Sequence, residues 1–520
     1  MIHVKKMDIS FYYRQSLYYI NYFFYNDNNF NFFIKKIIKN LKLLPQKYRN
    51  RSDQQKLLPL KKEIMKLFES ELLKFSKKEV LIKILPIISD KIFLKKQYNF
   101  YRYNIDGTSN LFYNVQKIEF EIKVLKFILE KRLALNDVNV RKKIKRKELI
   151  EIISLGSFVY KFQIVLDFMY YEMNLGSVEI DENYNLNIDF CQTNLNTKYL
   201  EETYDANDII LDDNILKEYI KCFKLDLGFD INDFTEVSSC LCLDIPTKNP
   251  FKLNNNIFII KKSKLIELVY KKNQRNLSYD TINNILNYLI LNKDEVVANY
   301  RREETVNRID QKPILDYNGV LYYSPAMLSE IHRYFINAIL IYDFPFKKDL
   351  KNINKLFEKI KKKAEKQIVY DTANVLKKYI SGPIYVERKL HQINSLIGKS
   401  FSESIGDFDI LAIDNMKKII YNIEIKNLKL YSTIYEMYRQ YHGFYDKNNY
   451  EIKFSRRIDA LSENKKNIFP VCFNLNVDEY QIVNVFLTNK SFNPLFSKRK
   501  DIIYLSFNMF ENYLKLKGNL

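Results

Sequence analysis

The sequence predicts a mostly α-helical N-terminal region with a small β insertion, followed by a C-terminal α/β region whose central mixed sheet is flanked by helices. Three observations predict this. Up to about residue 175, apolar residues recur at spacings of three and four with few prolines or glycines to interrupt them. From 176 an acidic, Asn-rich stretch with alternating segments intervenes before helices resume. Beyond about 355, helical and strand-like segments follow one another, as in an α/β core. The expected divisions are 1–175, 176–300 (recognition or regulation) and 301–520, with the core of the last at about 355–520.

Taken in order, NFNFFIKKIIKNLKLL and QKIEFEIKVLKFILEKRLAL read as amphipathic helices. RKKIKRKELI, from Arg141 to Ile150, has six basic residues in its first seven, and a helix starting there would present a cationic face. SVEIDENYNLNIDF reads as a hairpin turning at Asp181-Glu182-Asn183, and PTKNPFKLNNN (246–256) as a loop. KKSKLIELVYKK and YDTINNILNYLIL read as helices. PILDYNGVLYYSP is a short hairpin with Asn318-Gly319 at its turn. MLSEIHRYFINAILIYDF reads as a helix. KDLKNINKLFEKIKKKAEKQIVYDTANVLKKYI is a long helical run, with room for one break, ending before Gly382-Pro383. STIYEMYRQYHGFY and KFSRRIDAL read as helices, NIFPVCFNL and YQIVNVFLTN as strands, and DIIYLSFNMFENYLKL as a strand then a helix.

The chain has 520 residues, and its 83 Lys+Arg against 62 Asp+Glu leave a formal charge of +21. Aromatics at 15% exclude a disordered chain, and 10 Gly with 11 Pro exclude a collagen-like or linker-dominated one. The excess of cations suits phosphate backbones. The absence of Trp and abundance of Lys and Asn also fit AT-rich coding, a competing source of that charge. Five cysteines make no disulfide framework, and the lone Cys240–Cys242 pair lacks zinc-site spacing. This points to a reducing, cytoplasmic location. Arg14 and Gln15 interrupt the Tyr-rich N-terminus, no cleavage site follows, and no apolar run suggests a membrane partner. There is no GxxxxGK[ST] loop.

The stretch that carries chemistry is GDFDILAIDNMKKIIYNIEIKNLKL, Gly406 to Leu430. Alternation sets Asp407, Asp409, Leu411 and Ile413 on one face of a strand. Glu424 and Lys426, two apart, share a face of the next, and a hairpin between the strands can bring Asp409 beside Glu424. Two carboxylates at close range repel, and burying them adds to the cost. A divalent cation relieves both, and Mg²⁺ prefers such oxygen ligands together with substrate phosphate. Two carboxylates and an ammonium meet the needs of phosphodiester hydrolysis.

Asp409, fourteen intervening residues, then Glu424-Ile425-Lys426 resembles the PD-(D/E)xK nuclease superfamily, the restriction-endonuclease-like fold. The resemblance covers about residues 355–520. It implies Asp409 and Glu424 as metal ligands, the Ile425 carbonyl as a third, and Lys426 as the catalytic lysine serving the attacking water. Glu365, on the helix before the first core strand, would join the catalytic and metal-binding set. PIYVERKLHQI, GDFDILAID and KIIYNIEIK would be the first three core strands. The pattern departs at Phe408, where a proline is usual, and at Phe444, which stands four residues after Gln440 where some members place a tyrosine. Gln440, Arg456 and Arg457 are candidate nucleic-acid contacts, joined by Lys498, Arg499 and Lys500. Glu403 and Asp407 are alternative acids, while His332, His391 and His442 read as packed or surface residues. The implied cofactor is Mg²⁺, with Mn²⁺ able to substitute. The implied activity is that of a DNA endonuclease of bacterial restriction or antiphage defence. The alternatives are a non-catalytic nucleic-acid-binding scaffold on a decayed nuclease fold, or a partner-activated nuclease acting on RNA. Implied partners are nucleic acid, DNA favoured, with a homodimer and a separate ATPase or activating subunit as further candidates.

Overall fold

The computed structural model describes residues 28–102, 109–136, 142–173, 175–190, 213–243, 257–292, 295–296, 309–331, 350–388, 407–428, 434–445, 450–474, 476, 479–489, 497 and 499–518. Among these it is mixed α/β, with fourteen helices and three sheets. Two compact units divide the chain. The first comprises Met1–Thr193, Ile220–Ala338 and Phe344–Ile353, the second Asn194–Tyr219, Ile339–Asp343 and Asn354–Leu520.

The first unit opens with five helices: α1 (Asn28–Asn40), α2 (Arg51–Leu73), α3 (Lys77–Arg102), α4 (Ser109–Ala134) and α5 (Arg146–Tyr170). Asn50 caps α2 by accepting the Asp53 N–H at 2.9 Å. Leu57, Leu60, Ile64, Phe68 and Leu72 bury one stripe of α2 against α5. The α5 helix is the one described helix long and apolar enough to cross a membrane by length and composition, and most of that stretch is buried inside the unit. Of the expected helix from Arg141, residues 142–145 lie before α5 and residues 146–150 open it, because α5 begins at Arg146. The buried Ile144 donates its N–H to Glu79 Oε1 on α3, and Lys145 donates to Glu148, which holds the run as an extended lead-in. Strands β1 (Gln46–Tyr48), β2 (Gly176–Ile180) and β3 (Leu186–Phe190) form an antiparallel sheet. Its β2–β3 hairpin turns where expected, with Asp181 accepting the Asn185 N–H at 2.7 Å.

Later in this unit come α6 (Asp213–Leu227, most of it in this unit), α7 (Ile231–Leu243), β4 (Phe258–Lys261), α8 (Lys262–Lys272) and α9 (Tyr279–Leu289). Strands β5 (Ile290–Leu291), β6 (Ile314–Tyr317) and β7 (Val320–Tyr323) follow, and the sheet order is β4-β7-β6-β5. Asn318 and Gly319 both take positive φ, +55° and +74°, as a type I′ hairpin turn requires. Residues 325–331 are helical; the rest of that expected helix, like the 246–256 loop, lies outside the described residues.

The second unit is a five-stranded mixed sheet between two helical layers. Helix α10 (Lys351–Tyr379) is one unbroken helix. Then come β8 (Ile384–Arg388), β9 (Phe408–Asp414), β10 (Ile419–Lys426), α11 (Ile434–Tyr445), α12 (Tyr450–Glu463), α13 (Lys465–Phe473), β11 (Gln481–Thr488), β12 (Ile502–Ser506) and α14 (Phe507–Gly518). Sheet order is β12-β11-β10-β9-β8, with β10, β11 and β12 parallel and β8–β9–β10 antiparallel. One face buries Ile410, Ala412, Tyr421, Ile423, Ile425, Val485 and Leu487 under α10 and α14. The other packs Leu411, Ile413, Ile420 and Phe486 under α11, α12 and α13. NIFPVCFNL, expected as a strand, lies largely in α13. Parallel neighbours such as β10 and β11 need a crossover, and its Ile468 and Phe469 pack on the sheet from within that crossover.

Candidate active site

β9 and β10 pair from Ile419↔Asp414 to Ile423↔Ile410, and one step further in that register sets Asp409 opposite Glu424. The Ile425 N–H donates to Asp409 Oδ2 at 2.7 Å, which ties the two strands together at this point. Lys426 Nζ lies 2.7 Å from Glu424 Oε1 and 3.8 Å from Asp409 Oδ2. It also sits over the Tyr450 ring, 5.3 Å from the centroid. These side chains stand at the carboxyl end of β10, where open α/β sheets bind ligands. Lys426 and Asp409 keep 26% and 24% of their side chains exposed, so water reaches the mouth of the site, whereas Glu424 is only 3% exposed.

A buried carboxylate needs compensation, and Glu424 receives it from two sides. Arg457, itself buried on α12, brings Nη2 within 2.6 Å of Glu424 Oε2. The contact is close but not aligned as a hydrogen bond, so Oε2 has a charge partner without an aligned donor. The same guanidinium donates through Nη1 to the Asp407 carbonyl at the start of β9. Burial and the Glu424 charge push the Asp409 carboxyl up to about 7, against the opposing pull of Lys426. Burial draws the Lys426 ammonium down, but Glu424 and Asp409 outweigh it and the net shift is upward. Around this centre, Asn422 Nδ2 donates to Asn484 Oδ1 at 3.0 Å. Asn489 exchanges two hydrogen bonds with Leu428, which fixes the chain beyond β10.

The donor set fits a hard divalent cation. Its ligands would be oxygens, Glu424 Oε2 lacks an aligned donor, and the repulsion that lifts Asp409 is the kind a cation relieves. Among the described residues no cluster of three His, Cys, Asp or Glu side chains forms. A cation here would rest on two carboxylates, with carbonyl, water and phosphate completing the shell, which is common for Mg²⁺.

Asp409, Glu424 and Lys426 are thus brought together. Glu365 is not. It is on α10, whose Ile368, Val369, Ala373 and Leu376 pack on the opposite sheet face, and it pairs with Lys361 at 3.6 Å. Ile425 sends its side chain into the core under α10 and α14. Gln440 is half-buried on α11, and Arg456 is exposed on α12. Arg457, a candidate nucleic-acid contact from the sequence, is buried inside the site against Glu424. The signal for this lay in the helical period. Phe454, Ile458 and Leu461 define the buried stripe of α12, and Arg457 falls on that stripe while Arg456 does not. Arg499 is ion-paired to Asp459 and Asp501, Asp407 is exposed, and His442 packs edge-on against Tyr438. Glu403, His332, His391 and Lys498 lie outside the described residues.

Comparison of the chain with protein families, with curated proteins and with solved structures finds no match.

Proposed function

We propose that the second unit is a metal-dependent nuclease of the restriction-endonuclease-like kind, hydrolysing phosphodiester bonds, with DNA the favoured substrate and restriction or antiphage defence the setting. One observation carries this reading: Asp409, Glu424 and Lys426, from two adjacent strands, converge at the solvent-reached end of a buried sheet. The helix–strand–hairpin order before a helical crossover to a parallel strand supports it.

Asp409 and Glu424 would hold Mg²⁺ or Mn²⁺, with the Ile425 carbonyl as a third oxygen. When bound, the cation supplies Lewis-acid polarisation of a phosphate oxygen. Lys426, held as an ammonium by its two carboxylates, donates hydrogen bonds to water or to a non-bridging phosphate oxygen. There it offsets the charge that develops as the bond to phosphorus forms. Arg457 fixes the orientation of Glu424 and ties it to the start of β9.

The test incubates the purified chain with supercoiled plasmid, linear duplex, single-stranded DNA and RNA in Mg²⁺ or Mn²⁺. EDTA and Lys426→Ala serve as controls. Cleavage lost in both controls supports the assignment and ranks the substrates. Cleavage that survives Lys426→Ala removes these residues from the mechanism. Cleavage of RNA alone, or activity only with an added partner, replaces the DNA reading with the partner-activated one.

A further inference from the structure

We propose that α7, α8 and α9 with strands β4, β6 and β7 form a DNA-reading module of the helix–turn–helix class with a β-hairpin wing, in which α9 enters the major groove of duplex DNA. The proposal goes beyond hydrolysis and does not depend on it.

The topology is the first support. The order is α7, β4, α8, α9, β5, β6, β7, with the two-residue β5 parallel to β6, and α7, α8 and α9 pack on one another. β4, which precedes the helix pair, pairs antiparallel with β7, and β7 with β6. The hairpin after the helices therefore closes against the strand before them, and its Asn318-Gly319 tip is exposed.

The turn between α8 and α9 is built to hold one geometry. Asn273 Nδ2 donates to the Tyr270 carbonyl at 2.7 Å, and its Oδ1 accepts the Leu277 N–H at 2.6 Å. Asn276 takes φ +53°, and Ser278 caps α9 by accepting the Thr281 N–H at 3.1 Å. Two helices locked by a short turn, the second presented outward, are the frame by which such motifs dock.

The face presented has reading chemistry. Ile282, Ile285, Leu286 and Leu289 bury one side of α9. The other side exposes Asp280, Asn284 and Asn287, the last accepting from Lys262 Nζ at 2.5 Å through its Oδ1, with Asn283 at its edge. Asparagine amides pair bidentately with the N6 and N7 edge of adenine. Residues 261–289 carry six cations (Lys261, Lys262, Lys264, Lys271, Lys272 and Arg275) against the two carboxylates Glu267 and Asp280; Lys264 and Lys271 pair with Glu267, and Arg275 with Asp230 and Asp233. Duplex DNA is the polyanion whose groove an α-helix fits.

The test uses the full chain carrying Asp409→Ala in EDTA, so that binding is read without cleavage and an inactive hydrolytic site leaves the result intact. A pool of random-sequence duplexes is selected on it, and binding is measured by fluorescence anisotropy over a salt series. The pool should converge on an adenine-containing site. Asn284→Ala with Asn287→Ala should weaken that site by roughly ten- to hundred-fold, with little effect on unselected duplex. Lys271→Ala with Lys272→Ala should weaken all duplexes alike and flatten the log–log salt slope by about 2. Thermal melts verify that both variants fold. Failure of the pool to converge, an asparagine variant that holds the selected site as tightly as its parent, or preference for single strands or RNA would overturn the proposal.

Discussion

Asp409→Asn should stabilise the metal-free chain at pH 8. Burial and the Glu424 charge lift the Asp409 carboxyl from 3.8 to about 7. Between about pH 4 and 7 the native state therefore binds a proton that the unfolded chain has released. Stability then falls as pH rises through this window, and the contribution is gone above the folded pKa. About three units at ~1.4 kcal/mol per unit set an upper bound near 4 kcal/mol. With a quarter of the side chain exposed, solvent screening trims this to about 2–4 kcal/mol. Asparagine keeps the shape and can still accept the Ile425 N–H, but it carries no charge beside Glu424. Urea denaturation in EDTA, followed by far-UV circular dichroism from pH 4 to 8, measures the difference. The variant should match wild type near pH 4 and exceed it at pH 8. Mg²⁺ should narrow the gap, because wild type gains about 2.7 kcal/mol at a hundred-fold excess over Kd and the variant gains little. A variant no more stable than wild type at pH 8, or equally advantaged at both ends of the range, would refute the electrostatic argument.

Arg457→Ala leaves Glu424 buried with one cation fewer and should cost about 3–5 kcal/mol in urea titrations, with Arg457→Lys recovering part; a loss under about 1 kcal/mol would show the pair to be idle. Lys426→Ala should abolish cleavage yet tighten Mn²⁺ binding in calorimetry, since it frees two carboxylates from an internal ammonium; weaker binding would contradict the geometry. A Cβ on Gly382 would meet the Ile413 carbonyl oxygen at 1.9 Å, so Gly382→Ala must push β8 from β9; about 3 kcal/mol is expected from chemical denaturation, and a neutral result would rule the clash out. Asn422→Leu alone strands a buried Asn484 amide at about 1–3 kcal/mol, while adding Asn484→Leu should restore most of it; additive losses in the double-mutant cycle would argue against the pair.

Local signals carried much of the fold. The Asn318-Gly319 turn and the 181–185 turn depend on residues adjacent in sequence, and both hairpins form where turn chemistry sets them. The long helix before Gly382-Pro383 and the β9–β10 hairpin were legible for the same reason. Distant partners were not. The strand β1 exists because Gln46–Tyr48 pairs with 178–180, more than a hundred residues away. NIFPVCFNL is apolar enough for either structure, and its place in a crossover made it a helix. The basic run ahead of α5 has high helical potential, but Ile144 is pinned to Glu79 from another helix. The α7–α9 module escaped notice because its closure joins β4 to β7 across sixty residues.

The candidate site divides along the same line. Two-residue spacing along a strand put Glu424 and Lys426 on one face, and the hairpin register brought Asp409 to them. These three were therefore readable from a single 25-residue stretch. Arg457 and Tyr450 come from α12, and no spacing within the strands announces them. Arg457 nevertheless shares Glu424 with Lys426, and the Tyr450 ring lies against the Lys426 ammonium. Without metal, two carboxylates face two cations, and the charges balance inside the protein. Under the proposed function, a metal at this centre would compete with Lys426 for Glu424 Oε1 and Asp409 Oδ2, while Arg457 is also held by the Asp407 carbonyl. Of these two cations, Lys426 on the strand is the more exposed and Arg457 on the helix is buried. Under the proposed function, a Lys426 side chain released in this way would be the group at the mouth of the site available to an incoming phosphate.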